Sequence, residues 1–178
     1  TDLNVLTEKP FVPESYADSK FLFLANMAPE TQLEILEQFP NSTVFADTMN
    51  LWIDIARPQL DALLSKIDGL VLNDGEARML TGEQNLIRAG AALQEMGPKY
   101  VIIKKGEHGA FLFTPDERFG LLAYPVDSVV DPTGAGDSFA GGMMGALAAE
   151  GSLTPKSIHR AMAYGTVCAS FTVQDFSV

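Results

Sequence analysis

Apolar runs of strand length alternate along this chain with segments in which apolar residues recur at helical spacing. The run FLFLA at Phe21–Ala25 is uninterrupted, as is typical of a strand buried on both faces, and Tyr100–Lys104 (YVIIK) is rich in β-branched residues. Between such runs, Leu33, Leu36 and Phe39 recur at the spacing of one helix face. The alternation predicts strands joined by helical crossovers, because neighbouring parallel strands need such connections.

The same pattern predicts one α/β domain with a mostly parallel sheet and helices on its faces. The segment NDGEARMLTG is expected to be a polar corner, and residues 1–20 have weak periodicity and are expected to lie outside the main sheet. Strands are predicted over 21–25, 43–46, 69–73 and 100–104, a hairpin or edge pair over 109–113 and 119–124, and helices over 28–39, 57–67, 85–96, 141–150 and 155–173.

Composition excludes several classes of function. The 178 residues include 12 basic and 23 acidic ones, for a formal net charge of −11, so nucleic acid is not an expected partner. The single cysteine, Cys168, cannot form an internal disulfide or a Cys-rich metal site, and the methionines are expected to fill the core. No apolar stretch is long enough to span a bilayer, so we predict a cytoplasmic protein with no membrane partner.

The stretch DPTGAGDSFAGG at Asp131–Gly142 carries the candidate chemistry. It lies between the sheet and a helix of small residues, at a place where loops of such sheets bind ligands. Gly134, Ala135 and Gly136 can present backbone N–H groups at a helix N-terminus, and the absence of large side chains lets an anion approach them. We therefore predict a phosphate-binding turn, which is not a Walker A loop because no Gly-Lys-Ser/Thr follows it.

Asp137 has two interpretations. A carboxylate at the start of a helix is commonly an N-cap residue. A carboxylate held above a small-residue helix tip is also well placed to take a proton from a hydroxyl group that attacks a bound phosphate.

The motif DPTGAGDSFAGGMM resembles the C-terminal signature of the ribokinase-like, or PfkB, carbohydrate kinases. The segment VLNDGEARMLTG resembles the family's Asn-x-x-Glu segment, and VIIKKGEHGAFLF resembles its strand-turn-strand at the nucleotide site. The three matches occur in the family's order and extend from about Phe21 to the C-terminus. The resemblance implies a ribokinase-like fold of three layers and an ATP-dependent kinase that phosphorylates a sugar or sugar-like small molecule.

The resemblance also implies roles for individual residues. Asp137 would be the general base, and the amides of Gly134, Ala135, Gly136 and Asp137 would form the anion hole. Asn73 and Glu76 would lie near Mg²⁺ and the phosphates, the Glu acting through water. The nucleotide would be contacted by Lys104, Gly106, Gly109 and Tyr164, and Asp131 and Thr133 match positions that help some members to bind a monovalent cation such as K⁺.

Structural interpretations of these residues stay open. Asn73 and Glu76 also fit a strand-end turn followed by an acidic helix start, Lys104 fits a solvated strand end, and Gly106 and Gly109 fit a hairpin turn. Tyr164 fits a helix-packing residue. His108 and His159 have no acidic partner at ligand spacing, so we do not expect them to bind metal.

The resemblance further implies an N-terminal half and a sugar-contacting lid, which nothing in this chain matches. We expect residues 1–20 to be the end of that lid and its return segment, and residues 21–178 to be an incomplete nucleotide-binding and catalytic core. The resemblance also leaves open the formation of a homodimer through this lid. Two alternatives to a sugar kinase remain, namely a non-catalytic nucleotide-binding or regulatory module and a kinase of a nucleoside or vitamin-like alcohol, whereas an oxidoreductase is disfavoured by the absence of an early Gly-x-Gly-x-x-Gly.

Overall fold

The computed structural model of the chain describes residues 10–176, in which strands and helices alternate. Short 3₁₀ turns occur at Glu14–Tyr16 and Gly106–His108. The strands are β1 Phe21–Leu24, β2 Thr43–Asp47, β3 Gly69–Asn73, β4 Tyr100–Lys104, β5 Ala110–Phe113 and β6 Arg118–Leu121, and the helices are α1 Pro29–Leu36, α2 Asn50–Ile55, α3 Arg57–Leu64, α4 Asp74–Thr81, α5 Leu86–Glu95, α6 Ala135–Glu150 and α7 Pro155–Thr172.

The six strands form one sheet in which the strand order follows the sequence. The sheet is mostly parallel: β1 pairs with β2 in parallel with Phe21 opposite Thr43, and β2 pairs with β3 in parallel with Phe45 opposite Gly69. Helix α1 connects the first of these pairs, and α2 and α3 connect the second. The predicted α/β class, with a mostly parallel sheet flanked by helices, is therefore confirmed.

The segment predicted as a polar corner is a helix, α4, so that prediction is wrong. The Asn73 side chain accepts a hydrogen bond from the Glu76 N–H, and the Glu76 carboxylate accepts one from the Asn73 N–H, each at 2.8 Å. This capping box satisfies donors that a helix start would otherwise leave unpaired. Gly82 then ends the helix in the left-handed conformation, with φ 76°. The short helix α2 was also not predicted.

Strand β1 is less buried than its uninterrupted apolar run predicts. Leu24 is buried, whereas Phe21, Leu22 and Phe23 are half-buried. The physical reason is that β1 stands at one end of the strand order formed by the described residues, so it lacks a neighbour on one side there. Of the predicted lid segment, residues 1–9 lie outside the described residues, and residues 10–20 contain only the 3₁₀ turn.

The chain divides into two compact units. The first comprises the residues up to Ile103 together with Leu112–Arg118, and the second comprises Lys104–Phe111 and the residues from Phe119 onward. The core of the first unit includes fully buried side chains of β2, α3 and β3, among them Phe45, Leu60 and Leu72.

The second unit is built on the close packing of α6 and α7. A Cβ atom on Gly142 would stand 2.6 Å from the Cys168 Sγ, and one on Gly165 would stand 2.5 Å from the Phe139 carbonyl oxygen. Glycine at these two positions therefore lets the helices approach more closely than any side chain would permit. In the range 10–176, no helix is both long enough and apolar enough to cross a membrane.

Candidate functional site

The glycine-rich turn of the second unit forms the N-terminus of α6. Gly134 is the N-cap residue, with φ 79° and ψ −6°, a left-handed conformation that glycine adopts without steric cost. The helix begins at Ala135, earlier than predicted, so Gly136 and Asp137 lie within its first turn. The interpretation of Asp137 as the N-cap residue is therefore wrong.

Several backbone N–H groups of this turn have no acceptor in residues 10–176. Ala135 donates to the Pro132 carbonyl oxygen at 3.2 Å, and Ser138 donates to Gly134 at 2.9 Å. The N–H groups of Gly134, Gly136 and Asp137 make no hydrogen bond to any residue that the structure describes. Free amides and the positive end of the helix dipole together favour an anionic ligand.

The ammonium group of Lys104, at the end of β4, lies beside this helix tip. A Cβ atom on Gly136 would stand 2.8 Å from the Lys104 Nζ, so a side chain at this position would displace the ammonium group from where it lies. Among residues 10–176, no acidic side chain forms an ion pair with Lys104. A cation held against the positive end of a helix without a counter-charge fits a site that receives a phosphate group.

Asp137 and Asp131 stand on either side of the glycines in different surroundings. Asp137 is exposed, and its side chain makes no hydrogen bond within the described part of the chain. Asp131 Oδ1 accepts a hydrogen bond from the Thr133 N–H at 2.9 Å, which forms an Asx turn. Hydrogen bonds from the Thr133 backbone and side chain lower the pKa of Asp131 below its usual 3.8.

The two glycines after β4 differ in the space around them. The Lys105 N–H donates to the Gly109 carbonyl oxygen at 2.7 Å, which closes the turn between β4 and β5. A Cβ atom on Gly109 would stand 2.0 Å from the Leu121 carbonyl oxygen, so close packing of the chain itself accounts for this glycine. Nothing lies within 4 Å of the corresponding point on Gly106, which leaves open space there.

Tyr164 is 56% exposed on α7, so the interpretation of this side chain as a helix-packing residue is wrong. Asn73 and Glu76 belong to the first unit, where they form the capping box of α4, and Glu76 is buried. The interpretation of this pair as a strand end followed by an acidic helix start is therefore confirmed. Their position near Mg²⁺ stays a prediction. Within residues 10–176, no group of three or more His, Cys, Asp or Glu side chains is arranged to hold a metal ion.

Two residues at the end of α7 contact the glycine-rich turn and are not among the predicted site residues. The Thr172 hydroxyl donates to the Ser138 Oγ at 2.7 Å, and the Val173 carbonyl oxygen accepts from the Val130 N–H at 2.8 Å. Both contacts join residues far apart in the chain, so no local motif could have revealed them.

The fold is that of a known kinase family. Residues 4–178 match the sequence profile of the pfkB family carbohydrate kinases, and the chain belongs to this family. A cytidine kinase from Thermococcus kodakarensis is 32% identical over 137 residues, which cover 75% of this chain and 49% of that enzyme.

Solved structures support the same fold. The ribokinase of Thermotoga maritima superimposes with a TM-score of 0.79 at 28% identity, covering 97% of this chain and 56% of the ribokinase. An E. coli protein provisionally assigned as ribokinase II, solved in complex with ATP and Mg²⁺, superimposes with a TM-score of 0.73 at 26% identity and covers 92% of this chain and 55% of that one. The chain thus spans about half the length of the relatives that it matches.

Proposed function

We propose that the protein containing this chain transfers the γ-phosphoryl group of ATP to a hydroxyl group of a sugar or sugar-like substrate. The observation that carries the proposal is the exposed carboxylate of Asp137, which shares one helical turn with free backbone amides. A carboxylate that binds no metal ion repels a neighbouring phosphate, so a site that only binds nucleotide gains nothing from it. A general base needs such a position.

In this mechanism Asp137 accepts the proton of the attacking hydroxyl group. The acceptor oxygen then forms a bond to the γ-phosphorus atom as the bond from that phosphorus to the β–γ bridging oxygen breaks, and ADP leaves. The proton remains on the Asp137 carboxyl group until it passes to solvent. The exposure of Asp137 supports this exchange with water.

The amides of Gly134, Ala135, Gly136 and Asp137 are proposed to stabilise charge that develops on the transferred group. Three of them lack an acceptor within the described residues, so they need no rearrangement before they bind an anion. Lys104 is proposed to add its positive charge at the same tip, where the space beside Gly136 already admits its ammonium group. Gly106 and Tyr164 are proposed to contact the nucleotide, and both are exposed. Gly109 is proposed to shape the turn before β5.

Magnesium, when bound, would neutralise charge on the ATP phosphates. We propose that Glu76 reaches it through water and that Asn73 holds the Glu76 backbone in place by its capping hydrogen bond. Magnesium usually keeps much of its hydration and is held largely by the phosphates, so a protein contribution of one carboxylate fits its chemistry. Asp131 and Thr133 are proposed to lie at a monovalent cation such as K⁺.

A nucleoside acceptor is a second candidate for the substrate. The observation that favours it is the 32% identity to a cytidine kinase. A vitamin-like alcohol and a non-catalytic nucleotide-binding module are the remaining alternatives, and no feature of the described residues favours either.

The test is Asp137→Asn in the complete protein, assayed for ADP formation with D-ribose, D-fructose, cytidine and adenosine. We expect kcat to fall about 10²- to 10⁴-fold, the usual contribution of a general base, while the Kd for MgATP measured by calorimetry stays within about threefold. Asp127→Asn is the matched control, because it removes the same charge from an exposed position of the same unit.

Turnover within tenfold of the wild-type value in Asp137→Asn would remove Asp137 as the base. MgATP binding by the wild-type protein without turnover on any of the four acceptors would instead support a non-catalytic module. The ratio of kcat/KM for cytidine to that for D-ribose decides between the two acceptor classes.

A further inference from the structure

The end of helix α7 contacts the glycine-rich turn on both of its sides. Before the glycines, the Val173 carbonyl oxygen accepts from the Val130 N–H at 2.8 Å and from the Asp131 N–H at 3.4 Å. After them, the Thr172 hydroxyl donates to the Ser138 Oγ at 2.7 Å. Thr172 and Val173 therefore form hydrogen bonds on both sides of the segment that carries Asp137 and the amides without an acceptor among the described residues.

The Thr172 hydroxyl group lies within hydrogen-bonding distance of two oxygen atoms, and the nearer one belongs to the other helix. A threonine within a helix commonly donates to the carbonyl oxygen four residues earlier. Here the Cys168 carbonyl oxygen lies 3.3 Å from the Thr172 Oγ1, whereas the Ser138 Oγ lies at 2.7 Å. The shorter distance identifies Ser138 as the dominant partner. The Thr172 hydroxyl group therefore links α7 to α6 more strongly than it bonds to the backbone of α7.

The close packing of α6 against α7 begins one residue after Ser138. The approaches at Gly165, which meets the Phe139 carbonyl oxygen, and at Gly142 fix the separation of the helices from the second turn of α6 onward. Ser138 is half-buried and follows Asp137 directly, so a bond to its side chain constrains the backbone that carries the Asp137 carboxylate. Because the two bonded residues are both partly shielded from water, the hydrogen bond is not simply replaced by solvent.

We propose that Thr172 is a positioning residue, which holds the first turn of α6 so that Asp137 and its neighbouring amides face the transferred phosphoryl group. This inference rests on the proposed function. Thr172 touches neither substrate, and it acts through Ser138. Val173 performs the same task on the other side of the turn with its backbone carbonyl group, which the end of a helix leaves available.

The experiment compares Thr172→Val with Thr172→Ser in the complete protein. Valine has nearly the same shape without the hydroxyl group, and serine keeps it. With D-ribose or cytidine, whichever gives faster turnover, we expect Thr172→Val to lower kcat about tenfold, since small misplacement of reacting groups is costly. The KM for ATP should stay within about twofold, and Thr172→Ser should recover most of the rate.

Two further variants separate positioning from a general loss of structure. Thr166→Val makes the same change on the same helix, at a side chain without a hydrogen bond to α6 among the described residues, and should leave kcat unchanged. In the Asp137→Asn background, Thr172→Val should lower the residual rate no further, because its effect passes through the turn that carries Asp137. A tenfold loss in Thr166→Val, or in Thr172→Ser, would overturn the proposal.

Amide hydrogen exchange provides a readout that does not need kinase activity. Thr172→Val should speed exchange of the Ser138 N–H, which donates to the Gly134 carbonyl oxygen at 2.9 Å, about tenfold, and Thr166→Val should not. If the wild-type protein transfers no phosphoryl group but this exchange result is obtained, the proposed function fails while the role of Thr172 in holding the turn stands. Unchanged exchange and unchanged kcat would overturn that role. If Thr172→Val does not fold, Ser138→Ala removes the other partner and is judged by the same outcomes.

Discussion

The Nζ atom of Lys104 lies 2.8 Å from the point that a Cβ atom on Gly136 would occupy. The end of β4 and the start of α6, which are far apart in the sequence, thus lie next to each other. The positive end of a helix dipole does not attract an ammonium group, so an anion between or beside the two would relieve their repulsion. This relationship brings the end of β4 and the glycine-rich turn together within the second unit.

Gly136→Ala tests whether that space matters for phosphoryl transfer. The added Cβ atom would displace the Lys104 ammonium group, and we expect kcat/KM for ATP to fall about tenfold, near the worth of one hydrogen bond to a charged group. The free energy of unfolding should be unchanged or raised by up to about 1 kcal/mol, because alanine is the better helix former and the end of a lysine side chain can shift. Steady-state kinetics and urea unfolding measure the two quantities.

Gly145→Ala is the matched control for that variant. It lies within α6 with nothing within 4 Å of the added atom, so it should give the same gain in helix propensity and unchanged kinetics. Equal kinetics in both alanine variants would show that the space beside Lys104 is not used.

Glu76→Gln separates the capping role of this residue from its proposed role at magnesium. Glutamine keeps an oxygen that can accept from the Asn73 N–H, so the free energy of unfolding should fall by less than about 1 kcal/mol. The Mg²⁺ concentration for half-maximal rate should rise about tenfold, as is usual when an outer-shell partner of a metal is changed. A magnesium titration at saturating ATP measures the shift.

The controls for this prediction change one property at a time. Glu95→Gln removes a charge from an exposed site at the end of α5 and should leave the magnesium titration unchanged. Asn73→Ala should cost about 1 kcal/mol of stability through loss of the cap, whereas Asn73→Ser should keep most of it. If Glu76→Gln leaves the magnesium requirement as it was, Glu76 serves only the helix.

Asp131→Asn tests the titration of the Asx turn. Because hydrogen bonds from Thr133 lower the pKa of folded Asp131 below 3.8, ionised Asp131 stabilises the folded state above the pKa of the unfolded chain. That contribution is lost as the pH falls through the lowered pKa. The difference in unfolding free energy between wild type and Asp131→Asn should therefore be constant above about pH 5 and should shrink below about pH 4.

Urea unfolding of both proteins from pH 3 to about pH 7 measures this difference. Asparagine retains an oxygen that can accept from the Thr133 N–H, so the turn itself is preserved in the variant. Parallel stability curves across the whole range would contradict the assignment of the lowered pKa to Asp131.

Local patterns predicted much of the fold. The strands at 69–73 and 100–104 have the predicted bounds, because continuous apolar and β-branched runs have few other stable conformations. Helix α4 is absent from the predicted helices, although Asn73 and Glu76 fit an acidic helix start, have capping-box spacing, and are followed by Gly82 after the last turn. Strand β1 is more exposed than its apolar run predicts, because such a run does not reveal whether a strand has a neighbour on each side.

The sequence by itself determined the family, the alternation of strands with helices, and the presence of small residues and a carboxylate at the start of α6, since all of these depend on residues close together in the chain. The tertiary structure alone decided that Lys104 lies beside Gly136, that Gly109 is required by the neighbouring Leu121 backbone, and that Thr172 bonds to Ser138. These contacts join distant segments, and their distances depend on how strands and helices pack, which no local pattern of residues encodes.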